Sequence, residues 1–295
     1  KVKKVVNINA DINSAFHYSK TIALLGDIKT TLLRLNEELK KKEFKPGRRP
    51  SAWLKACMEK RREWDTFRNE RYRVKTLFDS RWKRKVLTQP VVIKTASDLA
   101  IKNKIISFFD AGDVQANGFQ IVEPEKYGSV YNETGASYMG FAVSALLATA
   151  MSDTPFYGLA FTGDGSFTMN PQILIDGVQH GARGCILLLD NRRMGAITGL
   201  QQAQYGEEYA TSDDVVVDYI AWAEAIKGVK AFDGGYSQKS LLTCLEKARA
   251  HKGLSLVYVR IYFGDDPLGG MGVFGRWNVG NWCKDTQALR HKIGL

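Results

Sequence analysis

The sequence predicts an α/β fold, a doubly wound and mainly parallel sheet with helices on both faces. Short and almost continuously apolar segments such as "YGLAF" and "CILLL" indicate strands that are buried on both sides. Segments with helical periodicity alternate with them, which is typical of strand–helix–strand units. With 44% hydrophobic and 25% charged residues over 295 positions, the composition is that of an ordinary globular protein.

The first 45 residues predict only the end of a βα unit. "VKKVVNINAD" and "TIALLGD" read as two short buried strands, and Asp27 is a good N-cap for a helix that carries Leu32, Leu35 and Leu39 on one face. Two strands and one helix cannot enclose a core. Since the chain also begins without Met, we expect it to be the C-terminal part of something larger.

Residues 46–89 predict a basic helical linker that follows the Pro46-Gly47 and Pro50 breaks. Apolar residues recur there at helical spacing, which predicts one or two amphipathic helices: Trp53, Cys57, Trp64, Phe67, Val74, Phe78 and Trp82. Of the net charge of +11, the segment 40–85 accounts for all, with 18 Lys and Arg against 6 Asp and Glu. The favoured interpretation is a solvated basic face over an aromatic stripe packed on a neighbouring domain. Binding of nucleic acid or another polyanion through residues 48–85 is the alternative.

Residues 90–295 predict the sheet itself. "KIISFFDAGD" is a strand, and helices are expected from about Gly135 to Met151 and from about Pro171 to Gly181. "IKGVKAF" and "SLVYVRIYF" are further strands, with the helix "SQKSLLTCLEKARAHK" between them. In such a sheet the ligand is expected at the carboxyl ends of the strands.

Two polar residues follow predicted strands and point to a metal and phosphate site. Asp164, in "GDGS", follows "YGLAF", and Asn191 follows "CILLL" 27 residues later. One strand–helix–strand crossover would therefore bring them side by side. A carboxylate and an amide oxygen with a nearby backbone carbonyl suit octahedral Mg²⁺. Gly163 and Gly165 would let the backbone approach a phosphate, with N–H groups of Gly165, Ser166 and Phe167 at the start of the next segment.

The stretch "GDGSFTMNPQILIDGVQHGARGCILLLDN" resembles the fingerprint of the thiamine-diphosphate-dependent enzymes, in the acetohydroxyacid synthase and pyruvate oxidase group. The resemblance implies that Asp164, Asn191 and the backbone carbonyl of Arg193 bind Mg²⁺, with Met194 and Gly195 next to the cofactor. Where the family usually has Asn-Asn, this chain has Asp190-Asn191. The resemblance also implies that residues 1–45 are the end of a Rossmann-like middle domain and 90–295 the diphosphate-binding domain.

Further matches lie upstream in "DAGDVQ" and "ETGASYMGF". The resemblance implies that Met139 forces the two cofactor rings into a V and that the Ser137 carbonyl accepts from the cofactor's amino group, where many relatives have Gly. Gly112, Asp113 and Val114 are implied at the diphosphate. A carboxylate facing diphosphate would be repelled, so we expect Asp113 to offer its backbone there or to make polar contacts elsewhere.

The family's essential Glu, which hydrogen-bonds the pyrimidine ring, is not found in this sequence. The resemblance therefore implies a pyrimidine-binding domain on another polypeptide or in an absent N-terminal part, and a homo- or hetero-oligomer such as a dimer of dimers. The implied activity is breaking or making a C–C bond in a 2-oxo acid or 1,2-diketone. Acetolactate synthase-like or 2-oxo acid decarboxylase subunits are alternatives. The nearest likeness is to the cyclic 1,2-dione hydrolases, through "ETGASYM" and "RWNVGNW".

Other patterns favour a cytoplasmic protein without a membrane span. The longest apolar stretches fall short of the about 20 residues that a spanning helix needs. Four scattered cysteines suggest neither zinc nor a disulfide framework. "GMGVFG" at 270–275 satisfies the dinucleotide pattern, but only 20 residues follow it and the βαβ context is missing. We interpret it as part of a lid-like tail.

Overall fold

The computed structural model describes residues 3–16, 19–42, 51–212 and 214–262, with the backbone alone at 203 and 204. The chain divides into two compact units, Lys1–Arg62 and Glu63–Leu295. The predicted tail, with "GMGVFG" and "RWNVGNW", lies outside the described residues, as do the Pro46-Gly47 and Pro50 breaks. The three-part division at 45/46 and 89/90 therefore stays a prediction.

The first unit contains the predicted βα arrangement. Strands β1 (Val5–Asn9) and β2 (Thr21–Leu25) pair in parallel, separated by the short helix α1 (Ile12–Ala15) and followed by α2 (Ile28–Lys41). Asp27 caps α2 as predicted, with its Oδ1 accepting from the Thr30 N–H at 2.9 Å. The expectation of buried strands is wrong for this unit, because the described residues supply no second layer and both strands remain partly exposed.

The basic segment forms one long helix and then a hairpin. Helix α3 (Ala52–Arg73) is followed by the antiparallel strands β3 (Thr76–Asp79) and β4 (Arg84–Leu87). The prediction that helical periodicity extends through Phe78 and Trp82 is wrong. The Asp79 carboxylate accepts from the backbone N–H of Arg81 at 2.9 Å, which turns the chain between the two strands.

The second unit is built on six parallel strands in the order β6-β5-β7-β8-β10-β9. The strands are β5 (Ile106–Phe109), β6 (Val130–Asn132), β7 (Gly158–Gly163), β8 (Gly184–Asp190), β9 (Lys230–Asp233) and β10 (Leu254–Arg260). The helices are α4 (Gln89–Lys102), α5 (Asp113–Ile121), α6 (Phe141–Ala145), α7 (Ala148–Met151), α8 (Asp164–Phe167), α9 (Ile173–Gln179), α10 (Gly195–Tyr205), α11 (Tyr219–Glu224) and α12 (Gln238–Ala250).

Apolar cores cover both faces of this sheet, which confirms the predicted doubly wound α/β class. On one face Phe161 stacks on Phe109 at 4.2 Å between ring centroids, against α4, α5 and α12. On the other face Ile186 and Leu188 pack against α6, α9 and α11. Alternate residues of β8 thus enter opposite cores, as the continuous apolar pattern of its sequence predicted.

The single helix expected from about Gly135 to Met151 is instead two short helices, α6 and α7, and the first begins only at Phe141. The reason is the carboxylate of Glu133, which accepts hydrogen bonds from the backbone N–H groups of Gly135, Ala136 and Tyr138 and holds them in a loop. The remaining predicted elements are confirmed within a few residues. In the described parts of the chain, no helix combines the length and apolarity needed to cross a membrane.

Candidate cofactor site

A cavity of about 260 Å³ lies at the carboxyl edge of the sheet, beyond the ends of β5, β7 and β8. This is where a doubly wound sheet is expected to bind its ligand. The predicted residues that line it are Gly112, Asp113, Val114, Ser137, Met139, Gly163, Asp164, Gly165, Ser166, Asn191, Arg193, Met194 and Gly195. The fold therefore brings together segments that lie more than 80 positions apart in the chain.

Asp164 and Asn191 sit at adjacent strand ends, as the sequence predicted. Gly163, the last residue of β7, pairs with Leu189 of β8, and both polar side chains follow directly. Asp164 is 9% exposed and Asn191 is 7% exposed. The Asn191 Oδ1 accepts from the backbone N–H of Arg193 at 3.0 Å, which turns the chain sharply after β8. An amide oxygen has a second lone pair, so this bond leaves it able to bind a cation.

A second carboxylate, Asp190, lies against Asp164. The two side chains share a hydrogen bond, and the pKa of Asp164 is held well above its ordinary range by burial, by the charge of Asp190 and by that bond. The pKa of Asp190 is raised by burial, opposed by the Tyr258 hydroxyl, which donates to its Oδ2 at 2.8 Å. The neighbouring charge of Asp190 thus favours a proton on Asp164, and a divalent cation bound to Asp164 would compete with that proton.

Two glycines in the cavity wall allow close approach of neighbouring side chains. A Cβ at Gly165 would lie 2.6 Å from the Met194 Sδ and 3.7 Å from the Met139 Cε. At Gly195, a Cβ would lie 2.2 Å from the Asp113 Oδ2 and 3.0 Å from the Asn191 Nδ2. The side chains of Asp113 and Asn191 therefore lie directly against the backbone of Gly195, and a side chain at this position would displace Asp113.

Asp113 lies in the cavity wall as a partly exposed residue, but its Oδ1 atom is shielded from solvent. Burial raises its pKa to about 7, and its Oδ1 has no hydrogen-bond partner among the described residues. The expectation that this side chain makes polar contacts elsewhere is therefore not met for Oδ1. Below about pH 7 the group is mostly neutral and would not repel a phosphate as a carboxylate does.

The loop that carries Ser137 and Met139 is held from both sides. Gln115 Nε2 donates to the Glu133 carbonyl at 2.9 Å, and the Gly140 N–H donates to the Asp110 Oδ1 at 2.8 Å. The backbone of Ser137 has φ 57°, a left-handed conformation that favours glycine. This conformation gives a physical reason why many proteins of the resembling family have Gly at this place.

One predicted residue lies elsewhere, and several lining residues were not selected from the sequence. The Phe167 side chain is buried in the core against Tyr219 and Trp222, so only its backbone N–H stays a candidate. Lining residues that the motifs did not indicate are Gln89, Ala111, Leu189, Ala196, Ile197 and Leu200. Most are apolar and carry no chemical signal, whereas Gln89 is polar and buried.

The donor set fits a Mg²⁺–diphosphate group better than a site made of acidic or thiolate side chains alone. Among the described residues, no three His, Cys, Asp or Glu side chains cluster as metal ligands do. One carboxylate, one amide oxygen and a backbone carbonyl would leave octahedral positions for phosphate and water oxygens. Asp164, Asn191 and Arg193 are the residues that could supply this set.

Two arginines of the basic segment make contacts within the second unit. Arg68 pairs with Asp65 at 2.5 Å and with Glu123, two residues after the end of α5, at 3.0 Å. Arg71 is 2% exposed and donates to Asn117 and Gln120 of α5. A polyanion-binding surface on this helix would need four arginines: Arg61, Arg62, Arg68 and Arg71. Two of them, Arg68 and Arg71, make these contacts instead. These contacts support the interpretation that this helix packs on the neighbouring domain.

Comparisons with known proteins agree with the geometry. Residues 110–259 match the sequence profile of the thiamine pyrophosphate enzymes, C-terminal TPP binding domain. The 3D-(3,5/4)-trihydroxycyclohexane-1,2-dione hydrolase of Lacticaseibacillus casei is 26% identical over 277 residues, which are 88% of this chain and 42% of that protein. The protein of the same name from Listeria monocytogenes serotype 4b is 25% identical over 94% of this chain and 45% of its own. The chain thus spans less than half the length of these curated relatives.

Solved structures share the fold at low sequence identity. The thiamine diphosphate-dependent 4-hydroxybenzoylformate decarboxylase of Rhodococcus jostii RHA1 matches with a TM-score of 0.65 at 16% identity, over 89% of this chain and 45% of that one. A putative thiamin diphosphate-dependent enzyme from Mycobacterium smegmatis matches with a TM-score of 0.61 at 16% identity, over 87% of this chain and 43% of that one. By the profile match over half of its length, the chain belongs to the thiamine pyrophosphate enzymes and contains their C-terminal cofactor-binding domain.

Proposed function

We propose that this chain supplies the Mg²⁺ and diphosphate half of the active site of a thiamine-diphosphate-dependent enzyme that cleaves or forms a C–C bond. The observation that carries the proposal is the pair Asp164 and Asn191 at adjacent strand ends, facing a cavity with glycine-lined walls. Asp164, Asn191 and the Arg193 carbonyl would hold Mg²⁺. Gly112, Asp113, Val114 and the N–H groups of residues 165–167 would hold the diphosphate, with Gly163, Met194 and Gly195 around it.

When bound, thiamine diphosphate would supply a carbon nucleophile and an electron sink. The chain's own part is to bind and orient it. Met139, beside Gly165 and Met194 in the wall, would support the bent shape of the cofactor. The Ser137 carbonyl would accept from its amino group. The proton relay through a Glu would come from a pyrimidine-binding domain, on another polypeptide or in a further part of the same protein, within an oligomer such as a dimer of dimers.

For the substrate we propose a cyclic 1,2-dione, opened by hydrolysis. The support is that the two curated relatives compared above carry the name of such a hydrolase and match 88% and 94% of this chain. A 2-oxo acid, used by decarboxylation or by acetolactate synthase-like ligation, is the alternative. The likeness to a decarboxylase of known structure concerns only the fold. The described cysteines Cys57, Cys185 and Cys244 are free thiols, which agrees with the cytoplasmic location we propose.

The test is cofactor binding by the complete assembly, measured by isothermal titration with thiamine diphosphate in the presence and absence of Mg²⁺. We expect binding to require Mg²⁺ and Asp164→Ala to abolish it. Asp153→Ala, at an exposed position away from the cavity, is the matched control and should bind as the wild type does. Unchanged Mg²⁺-dependent binding by Asp164→Ala would contradict the proposal. Turnover of cyclohexane-1,2-dione against pyruvate and benzoylformate then separates the substrate classes.

A further inference from the structure

Gln89, the first residue of α4, is a buried polar residue in the wall of the cofactor cavity. It is 4% exposed, and it shares the wall with Gly112 and Asp113. The Gln89 Oε1 accepts a hydrogen bond from the Asn117 Nδ2 of α5. The position of this side chain therefore depends on how the amide of Asn117 is oriented.

The orientation of the Asn117 amide is fixed by two groups with opposite capacities. The Arg71 guanidinium can only donate, and its Nη2 lies 2.5 Å from the Asn117 Oδ1. The Asp113 carbonyl can only accept, and the Asn117 Nδ2 donates to it at 3.0 Å. Reversing the amide would lose both bonds and bring like groups together. The atom of Gln89 that meets the Asn117 Nδ2 must then be its oxygen.

This arrangement determines which atom Gln89 offers to the cavity. With its oxygen bonded to Asn117, the remaining polar atom is Nε2, which carries two N–H donors. Within the described ranges of the chain, Nε2 finds no acceptor. A second guanidinium nitrogen of Arg71 donates to the Gln120 Oε1, so the arginine is held against α5 at two points. Both amide neighbours of Arg71, Asn117 and Gln120, thus present their oxygens to it.

We propose that Gln89 is a binding residue of the cavity, and that its Nε2–H donates to an anionic oxygen of the diphosphate of thiamine diphosphate. Arg71 and Asn117 are positioning residues that act through it. The inference rests on the proposed function for the identity of the ligand. Hydrogen bonds to an anionic acceptor are stronger than neutral ones, so an Nε2–H that gains such an acceptor on binding adds to affinity. The proposal also gives the C-terminal half of α3 a function, because Arg71 in that half would help to position Gln89.

The direct test is the affinity of the complete protein for thiamine diphosphate at saturating Mg²⁺. Gln89→Leu keeps the approximate volume and removes the donor, and we expect binding to weaken about tenfold. Gln89→Asn keeps an amide on a side chain that is one methylene shorter, so the amide no longer reaches the ligand. The affinity should fall by a similar factor. Gln179→Leu, at an exposed position of α9, is the control and should leave affinity unchanged. Thermal denaturation identifies a variant that does not fold, and the other Gln89 variant then decides.

A double-mutant cycle separates positioning from general stabilisation. We expect Arg71→Met to weaken binding, Arg71→Lys to restore part of the loss, and Arg71→Met combined with Gln89→Leu to be no weaker than Gln89→Leu alone. Arg73→Met, at an exposed position of the same helix, is the control. Additive losses would show that Arg71 does not act through Gln89 and would overturn its positioning role.

Inorganic pyrophosphate with Mg²⁺ identifies the part of the ligand that Gln89 contacts. The same loss for pyrophosphate as for thiamine diphosphate supports the diphosphate assignment, whereas an unchanged pyrophosphate affinity overturns it. If the wild type binds thiamine diphosphate and both Gln89 variants bind it as tightly, this inference fails and the proposed function stands. If the wild type does not bind thiamine diphosphate with Mg²⁺, the proposed function itself fails.

Discussion

Asp164 and Asp190 share one buried hydrogen bond at the ends of two neighbouring parallel strands. The pair places two carboxyl groups where the resembling family usually has one carboxylate and an Asn. Because like charges in a buried site do not ionise together, Asp164 retains a proton until a cation or a rise in pH removes it. The Tyr258 hydroxyl, bonded to the Asp190 Oδ2, favours the charge on Asp190 instead.

The first prediction concerns proton release at this pair. Binding of Mg²⁺ with the cofactor should release a proton from Asp164, so affinity should fall as the pH falls, because protons and Mg²⁺ compete. Asp190→Asn removes the neighbouring charge that raises the pKa of Asp164, and should reduce both the proton release and the pH dependence. Titration calorimetry in buffers of different ionisation enthalpy measures the protons. Equal release by the variant and the wild type would refute this role of Asp190.

The second prediction concerns the pH dependence of stability through Asp113. Its folded-state pKa of about 7 lies above the ordinary value of 3.8, so the folded state binds the proton more tightly than the unfolded state does. The free energy of unfolding should therefore decrease as the pH rises through 7, by about 1 kcal/mol between about pH 6 and pH 8. Denaturant unfolding of the ligand-free protein measures this, with Asp113→Asn as the comparison. A variant that retains the full pH dependence would assign it to another group.

The third prediction separates two glycines of the cavity. A Cβ at Gly195 would meet the Asp113 Oδ2 at 2.2 Å, so Gly195→Ala should destabilise the protein by about 1–3 kcal/mol. At Gly163 the nearest atom is the Leu189 carbonyl oxygen at 4.0 Å, so Gly163→Ala should leave the Tm nearly unchanged. Both should weaken binding of thiamine diphosphate, Gly163→Ala because its methyl group enters space needed by the diphosphate. Calorimetric melting measures the stability and titration measures the binding. An unchanged affinity of Gly163→Ala for thiamine diphosphate would contradict the proposed close approach of the diphosphate to Gly163.

The fourth prediction concerns Met139. As a support for the bent cofactor it should affect the reaction more than the binding, so Met139→Ala should lower kcat by about 100-fold, as a misplaced reactive group does. Met139→Leu, which keeps a bulky apolar side chain, should retain most of the activity. Steady-state kinetics with the dione substrate, beside titration of the cofactor, measures the split. Equal kcat values for Met139→Ala and Met139→Leu would show that Met139 only packs in the cavity wall.

The sheet and the pair Asp164 and Asn191 could be predicted because both depend on strand position alone. A buried parallel strand is readable from its apolar run, and the carboxyl ends of adjacent strands meet at one edge. The start of α6 could not be predicted, because the Glu133 carboxylate competes for N–H groups that a helix would otherwise use. The hairpin after α3 was also missed, since Phe78 and Trp82 continue a helical spacing by coincidence.

Gln89 could not be found from the sequence, since a lone Gln in an apolar helix has no pattern. Its placement depends on Arg71 and Asn117, which lie 18 and 28 positions away and meet it only in the fold. The buried pair of Asp164 and Asp190 was visible in sequence only as a departure from Asn-Asn. Its shared hydrogen bond depends on the register of β7 against β8, in which Gly163 lies beside Leu189.

The position of the metal ion tests the proposed cofactor site most directly. Crystals of the complete protein grown with thiamine diphosphate and Mn²⁺ in place of Mg²⁺ would give an anomalous difference map that locates the ion. We expect one strong peak within coordination distance of the Asp164 carboxylate, the Asn191 Oδ1 and the Arg193 carbonyl, next to the diphosphate. A diphosphate whose metal is held by other residues, or a cavity that stays empty at saturating cofactor, would contradict the proposed site.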